Sequence, residues 1–195
     1  MTQRDWHVLL VGGPSGTGKS AAVAPLIRRH GIGAGEIDDL MAAVRAMTTP
    51  EQQPMLHYWS THAESREWTA EEIFELTLTT AEALAPAVEA VVASHLDAGP
   101  PVIMEGDYLL PALAGRLSSA AVRAVFLYEP DESQLIANYL DREPSAGPQP
   151  MRARISWLFG QWLATEAPRH GVAAIPARPW GTLGERIEAA IRPTR

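Results

Sequence analysis

The sequence predicts an α/β fold built on a parallel sheet, and three observations carry that prediction. Five short apolar runs recur along the 195 residues. Most are continuous in hydrophobicity, as strands buried on both faces are. Between them lie segments whose apolar residues recur at helical spacing. Strands and helices therefore alternate, the pattern of a parallel sheet joined by crossover helices.

The first strand is placed at residues 6–11 and runs through a glycine-rich turn into a helix over residues 19–30. The second strand is placed at residues 35–38, with a helix over 39–47 directly after it. The longest helical pattern opens on Thr69-Ala-Glu-Glu72, whose Thr and Glu have the spacing of a capping box. It continues through Ile73, Leu76, Leu84, Val88, Val91 and Leu96 to Gly99, with prolines just beyond. Pro86 inside it predicts a kink or two helices. The third and fourth strands are placed at residues 102–105 and 122–127. A helix over 131–142 meets the run EPSAGPQP, read as a flexible breaker, and a helix over 152–170 resumes with Ile155, Leu158, Phe159 and Trp162 on one side. A strand at 172–176 and a helix over 183–191 complete the reading. It amounts to one domain over residues 1–195 with insertions at 46–68 and 131–155.

Composition narrows the function. With 46% apolar and 20% charged residues the chain is ordinary for a globular domain, and its net charge of −7 argues against nucleic-acid or anionic-membrane partners. The absence of cysteine removes disulfides, thiolate metal sites and thiol nucleophiles. No stretch is read as long enough to span a membrane, and the apolar run at residues 8–11 ends in glycines where a signal sequence would carry a cleavage site. The expectation is a cytoplasmic enzyme or regulator. Oligomeric state is not set by this sequence.

The turn after the first strand reads Gly13-Pro14-Ser15-Gly16-Thr17-Gly18-Lys19-Ser20, a full match to G-x-x-x-x-G-K-[ST] between a strand and a helix. Glycines let successive backbone N–H groups turn toward phosphate oxygens, and the helix adds the positive end of its dipole. Lys19 supplies a mobile charge for the β- and γ-phosphates of ATP, and Ser20 a hydroxyl for Mg²⁺.

Two acidic segments suit this cradle. The third strand ends in Glu105-Gly106-Asp107. Glu105 is assigned as the carboxylate partner of Mg²⁺, and Asp107 as a substrate or supporting contact; the alternative is a strand that simply ends in polar residues. The step Ile37-Asp38-Asp39-Leu40 lies where the second strand becomes a helix. Asp38 there is placed to take the proton of an attacking hydroxyl, with Asp39 beside the same substrate. The bland reading is a helix N-cap, and one Asp can cap while the other faces the site.

Three further stretches supply the rest. Arg142 and Arg152 flank the Pro/Gly-rich breaker, as a lid delivering charge to a transferring phosphate requires, with Arg154 the weakest member of the set; a surface loop with solvated arginines is the alternative. Residues 46–62 offer Thr49, Gln52 and His57 as neutral hydrogen-bonding groups for an acceptor, or pack against the long helix. His57 and His62 stand five apart, which does not suit two zinc ligands on one helical face. After the last strand, Arg178, Pro179 and Trp180 are placed to meet a nucleotide base, or Trp180 closes the core.

With these residues in view, the loop resembles the G-x-x-G-x-G-K-S cradle of small-molecule kinases. The Glu105-Gly106 pair resembles the second acidic motif of uridine-kinase-like enzymes. The Ile37–Leu40 step resembles the V-D-S-L step of chloramphenicol phosphotransferase, whose base aligns with Asp38. Taken together, GGPSGTGKS, IDDL, TTPEQQP and VIMEGD resemble 2-phosphoglycerate kinase-like and AAA-type bacterial P-loop proteins. The resemblance implies a three-layer P-loop NTPase of nucleoside-monophosphate-kinase type, strand order 2-3-1-4-5, with a helical lid. It implies transfer of the γ-phosphate of ATP to a hydroxyl of a small molecule. A nucleotide-gated switch or ATPase module without an acceptor, and a toxin-like nucleotide-sugar kinase, fit the same cradle. A GTPase does not, because Asn138-Tyr-Leu-Asp141 lacks the Lys of a guanine-reading motif.

Overall fold

The computed structural model describes residues 4–62 and 67–192. Part of the insertion at 46–68, residues 63–66, therefore lies outside the described residues. Five parallel strands stand in the order β2-β3-β1-β4-β5. They are β1 (Val8–Gly12), β2 (Gly33–Glu36), β3 (Val102–Gly106), β4 (Val122–Tyr128) and β5 (Ala173–Pro176). β1 and β3 are buried at every position, which explains their unbroken apolar sequence.

Eight helices surround the sheet among the described residues: α1 (Lys19–His30), α2 (Ile37–Met47), α3 (Pro54–Thr61), α4 (Ala70–Asp97), α5 (Pro111–Leu117), α6 (Glu132–Arg142), α7 (Pro150–Glu166) and α8 (Leu183–Ala190). One face of the sheet packs Leu9, Val11, Ile103, Val125 and Leu127 against Val23 and Leu26 of α1 and Leu183 and Ile187 of α8. The other packs Val8, Leu10, Met104 and Phe126 against α2, α4, α5 and α7. This is the three-layer arrangement that the sequence led us to expect.

Several elements depart from the sequence reading, each for a local reason. β2 is Gly33–Glu36, two residues earlier than expected, because an edge strand reading Gly-Ala-Gly-Glu has almost no apolar signature. Ile37, fully buried, belongs to the first turn of α2, so Asp38 and Asp39 are helical. Neither caps the helix: the N-cap is Glu36, without a side-chain cap. Pro86 does not divide α4, which runs unbroken over 28 residues from the expected Thr69–Glu72 capping box. Pro86 is exposed while Leu84 and Val88 are buried, so its ring and missing N–H fall on the outer face. α4 is also long and apolar enough by composition to cross a membrane, a correction to the expectation that no segment is; its Leu76, Ala81, Leu84, Val88 and Val92 are buried in the body of the domain.

The EPSAGPQP breaker is structured, as a 3-10 turn at Pro144–Ala146, Gly147 in the left-handed region, and Pro150 opening α7. α7 ends at Glu166 and gives way to a 3-10 turn, Ala167–His170. Its buried stripe is Ala153, Ser156, Phe159, Gly160 and Leu163. α3 and α5 were not anticipated; both begin with proline, which suits a first helical position.

The strand order sends the connection after β1 to one side and that after β3 to the other. A crevice therefore opens at the carboxyl ends of these neighbouring strands. Gly106 lets α2 sit close to it, since a Cβ there would stand 2.5 Å from Cβ of Ile37. Gly106→Ala is expected to cost about 1–3 kcal/mol of overpacking strain, measured by denaturant unfolding, and to move the start of α2.

Candidate active site

The residues after β1 form a loop whose shape depends on glycine. Gly13 has φ +145°, and a Cβ on it would lie 2.4 Å from the backbone oxygen of Leu127 in β4. Gly18, with φ +82°, is the N-cap of α1 and supplies no side-chain cap, so the helix presents its first N–H groups to the crevice. The Thr17 hydroxyl donates to the Pro14 carbonyl at 2.8 Å inside the loop, which accounts for this fully buried threonine.

Lys19 is 8% exposed. Its ammonium donates to Pro14 O at 3.1 Å and to Asp107 Oδ1 at 2.6 Å. β3 lies beside β1 in a register that pairs Gly12 with Gly106, so Asp107 follows directly opposite the loop. A buried ammonium needs such a partner, because desolvating it unpaired costs several kcal/mol.

Two cavities meet at this point. A cleft of about 670 Å³ runs along the loop and is lined by Lys19, Ser20, Glu105, Asn138, Arg142 and Trp180 among others. A second cavity of about 330 Å³ is lined by Thr77, Tyr108, Tyr139, Arg152, Ser156 and Phe159 among others. Ser15, Asp38 and Asp107 line both, and so mark the seam between them. Burial, more than any single neighbour, raises the Asp38 carboxyl above the usual range; Asp107, then Glu36 and Glu105, push the same way against Lys19. Burial followed by Asp38 and Asp107 also raises the Tyr108 phenol.

Ser20 and Glu105 line the first cleft together, and Glu105 is only 6% exposed. One hydroxyl and one carboxylate beside a phosphate cradle fit Mg²⁺, which takes few protein oxygens and completes its shell with phosphate and water. Among the described residues no group of three or more His, Asp or Glu is arranged as a metal cage.

α6 and α7 grip the loop from the side, through residues that sequence reasoning missed. Tyr139, fully buried, donates its hydroxyl to Ser15 O at 3.0 Å and shares a 2.7 Å hydrogen bond with Ser156 Oγ. Asn138 Nδ2 donates to Gly16 O at 2.8 Å. The apolar face of the helix was legible in sequence, but a bond across more than a hundred residues was not.

Asn138 ends a longer chain. The carboxylate of Glu129, wholly buried, takes two 2.7 Å bonds from Arg178, whose Nη1 donates to Gln134 Oε1 at 3.2 Å. Gln134 Nε2 in turn donates to Asn138 Oδ1 at 2.9 Å. Arg178 is therefore committed to Glu129, and neither Arg178 nor Pro179 lines the cleft; the neighbouring Trp180, 47% exposed, does.

The arginines divide. Arg142 lines the first cleft and donates Nη1 to Ser15 Oγ at 3.3 Å, while its Nε and Nη2 hold Glu143. Arg152 lines the second cavity, with its guanidinium carbon 4.4 Å from the Tyr139 ring centroid. Arg154 bonds Glu71 and Glu132 and lines neither cavity. Thr49, Gln52 and His57 also line neither. Thr49 N–H donates to Gln52 Oε1 at 2.9 Å, and His57 Nε2 lies 3.1 Å from Thr48 Oγ1, so their polar groups serve their own turn. Asp39 is likewise absent from both linings.

No protein-family model matches the chain, and no curated protein matches it. Among solved structures it is similar to a gluconokinase from Sinorhizobium meliloti 1021, at 18% identity and TM-score 0.55, covering 97% of this chain and 93% of that one. It is also similar to TT1252 from Thermus thermophilus, at 14% identity and TM-score 0.54, covering 96% and 97%. At these identities the likeness establishes the fold: α/β, with a five-stranded parallel sheet.

Two outcomes follow for stability. Tyr139→Phe strands the Ser15 carbonyl and the Ser156 hydroxyl, and is expected to cost about 1–3 kcal/mol in denaturant unfolding. Asp38 binds its proton more tightly folded than unfolded, so its contribution to stability is full below the ordinary carboxylate pKa and is lost as pH rises through the raised one. Asp38→Asn is therefore expected to raise Tm at pH 7, with the gain vanishing below about pH 4.

Proposed function

We propose that this chain is an ATP-dependent phosphotransferase whose acceptor is a hydroxyl of a small molecule. The observation that carries the reading is the seam: a carboxylate with raised proton affinity, Asp38, lies where a phosphate-cradling cleft meets a second, smaller cavity. A cleft that only bound or hydrolysed a nucleotide would have no use for that second cavity. The fold is shared with the gluconokinase, which supports this class without fixing the substrate.

In this reading the loop Gly13–Ser20 and the start of α1 hold the phosphates of ATP, and Lys19 exchanges Asp107 for a phosphate oxygen. Ser20 and Glu105 would hold Mg²⁺, which neutralises charge on the β- and γ-phosphates. Asp38 orients the acceptor hydroxyl and takes its proton on a carboxylate oxygen. The acceptor oxygen then bonds to the γ-phosphorus on the side opposite the leaving group. The bond from that phosphorus to the β–γ bridging oxygen breaks, and its electron pair leaves on ADP. Arg142, already against Ser15, meets the charge that develops there once it turns from Glu143. Residues 131–155 serve as a lid that keeps water out while transfer proceeds. Trp180, beside Gly18, offers a flat surface to the base. The resemblance of Ile37–Leu40 to the corresponding step of chloramphenicol phosphotransferase supports the role given to Asp38.

An acceptor screen with ATP and Mg²⁺, followed by ³¹P NMR, tests the proposal: a phosphate monoester resonance supports it, and ATP hydrolysis with no acceptor across sugars, hydroxy acids, nucleosides and antibiotics overturns it. Asp38→Asn is expected to lower kcat by about 10²–10⁴ while leaving affinity for an ATP analogue within a few-fold. Because Asp38 must be ionised to accept the proton, kcat/KM falls on the acid side, with its limb above the pH of an ordinary carboxylate. A limb at or below pH 4 speaks against this base.

A further inference from the structure

The three arginines near the crevice differ in what they have left to offer. Arg154 uses both terminal nitrogens on Glu132 and Glu71. Arg142 uses all three, Nε and Nη2 on Glu143 and Nη1 on Ser15. Arg152 makes every one of its hydrogen bonds among the described residues from Nη1, to Glu143 and Gln149. Its Nε and Nη2 have no hydrogen-bond partner among the described residues, and these form the side-on edge of the guanidinium, whose two parallel N–H groups match the two oxygens of a carboxylate or phosphate. The rest of the group is held in place, by Glu143 at 3.0 Å and by the Tyr139 ring.

This edge belongs to a residue that lines the same cavity as Asp38. Thr77 and Ser156 add hydroxyls to that cavity, and Ile155 and Phe159 add apolar wall. At about 330 Å³ it lies at the small end of ligand sites, which run from roughly 300 to 1,000 Å³. Of its two carboxylates, Asp107 is paired with Lys19 and Asp38 is left to a hydroxyl at the seam, while the guanidinium edge is suited to an anion.

We infer that the acceptor is a small hydroxy acid or phosphorylated polyol, its anionic group seated on Nε and Nη2 of Arg152 while one hydroxyl faces Asp38. Arg152 thus selects the acceptor, and Arg142 serves the transferring phosphate. The inference rests on the phosphotransferase reading for its use of the hydroxyl, but the anion seat is testable without turnover. Glu143 bonds Nη1 and leaves the free edge alone, but its negative charge beside the guanidinium opposes a second anion, so neutralising that charge favours the anion.

The test is calorimetric titration of the full chain, with Mg²⁺ and a non-hydrolysable ATP analogue present. The probes are glycerate, gluconate and glycerol 3-phosphate, set against the neutral glycerol and sorbitol. At least one acid is expected to bind about tenfold or more tighter than its neutral counterpart. Arg152→Ala should erase that preference, Arg152→Lys should restore only part of it, and Glu143→Gln should tighten acid binding several-fold. A merely structural Arg152 would give no gain in Glu143→Gln. Equal binding of acids and polyols, a preference that survives Arg152→Ala, or no acid binding at all overturns the inference. Transfer to the same probes separates it from the broader reading. Phosphorylation of a neutral polyol with indifference to the acid sinks the anion seat and leaves the kinase standing. Arg152-dependent acid binding without transfer sinks the kinase and leaves the seat.

Discussion

An ammonium group buried at the end of a strand is the constraint around which this site is organised. Lys19 sits nearly out of solvent, and water no longer solvates its charge. The cost is met by a carbonyl within its own loop and by Asp107, supplied by the neighbouring strand. That supply depends on β3, not β2, lying beside β1, so the strand order is a condition of the site's chemistry as much as a packing solution. The ion pair also keeps the lysine in a place from which a phosphate oxygen can claim it.

The same adjacency gathers negative charge. Glu105 and Asp107 arrive from β3, and Glu36 and Asp38 from the β2–α2 junction, all close enough to act on one another. Burial first, and the neighbouring carboxylates after it, raise the proton affinity of Asp38. In the proposed reading, the environment that makes Asp38 a poor contributor to stability at neutral pH also suits it to accept a proton. Among the described residues Lys19 is the one cation buried with these carboxylates, and its bond to Asp107 offsets part of their mutual repulsion.

What the sequence disclosed divides along a physical line. The loop Gly13–Ser20 was readable in full because each of its residue types is dictated by backbone geometry or phosphate chemistry over eight consecutive positions. Glu105 and Asp107 stood out because acids follow directly on an apolar run, and the structure places both in the cleft lining. Asp38 lines both cavities although its element was misjudged, since the apolar Ile37 marked a buried helix start and not a strand. For Thr49, Gln52 and His57 the sequence left two readings open, because residue type says nothing about whether a polar group is already satisfied by its neighbours. Thr77, Tyr108, Tyr139, Ser156 and Phe159 were out of reach: three helices and a loop far apart in sequence converge on one cavity, and nothing in a short window records that convergence.

The chain from Glu129 through Arg178, Gln134 and Asn138 to Gly16 has a direction. Arginine only donates, so each amide after it must present oxygen behind and nitrogen ahead, and the loop carbonyl must accept at the end. Orientation of the phosphate cradle is thereby written in the polarity of side chains and not in their volume. The consequence is an inverted scale of tolerance for drift. Shape-preserving exchanges of amide for acid, gentle by any measure of size, reverse the current and leave two acceptors facing each other, whereas coarser truncations only fall silent. A lineage of such proteins should be able to shrink this relay more easily than it can rewire it.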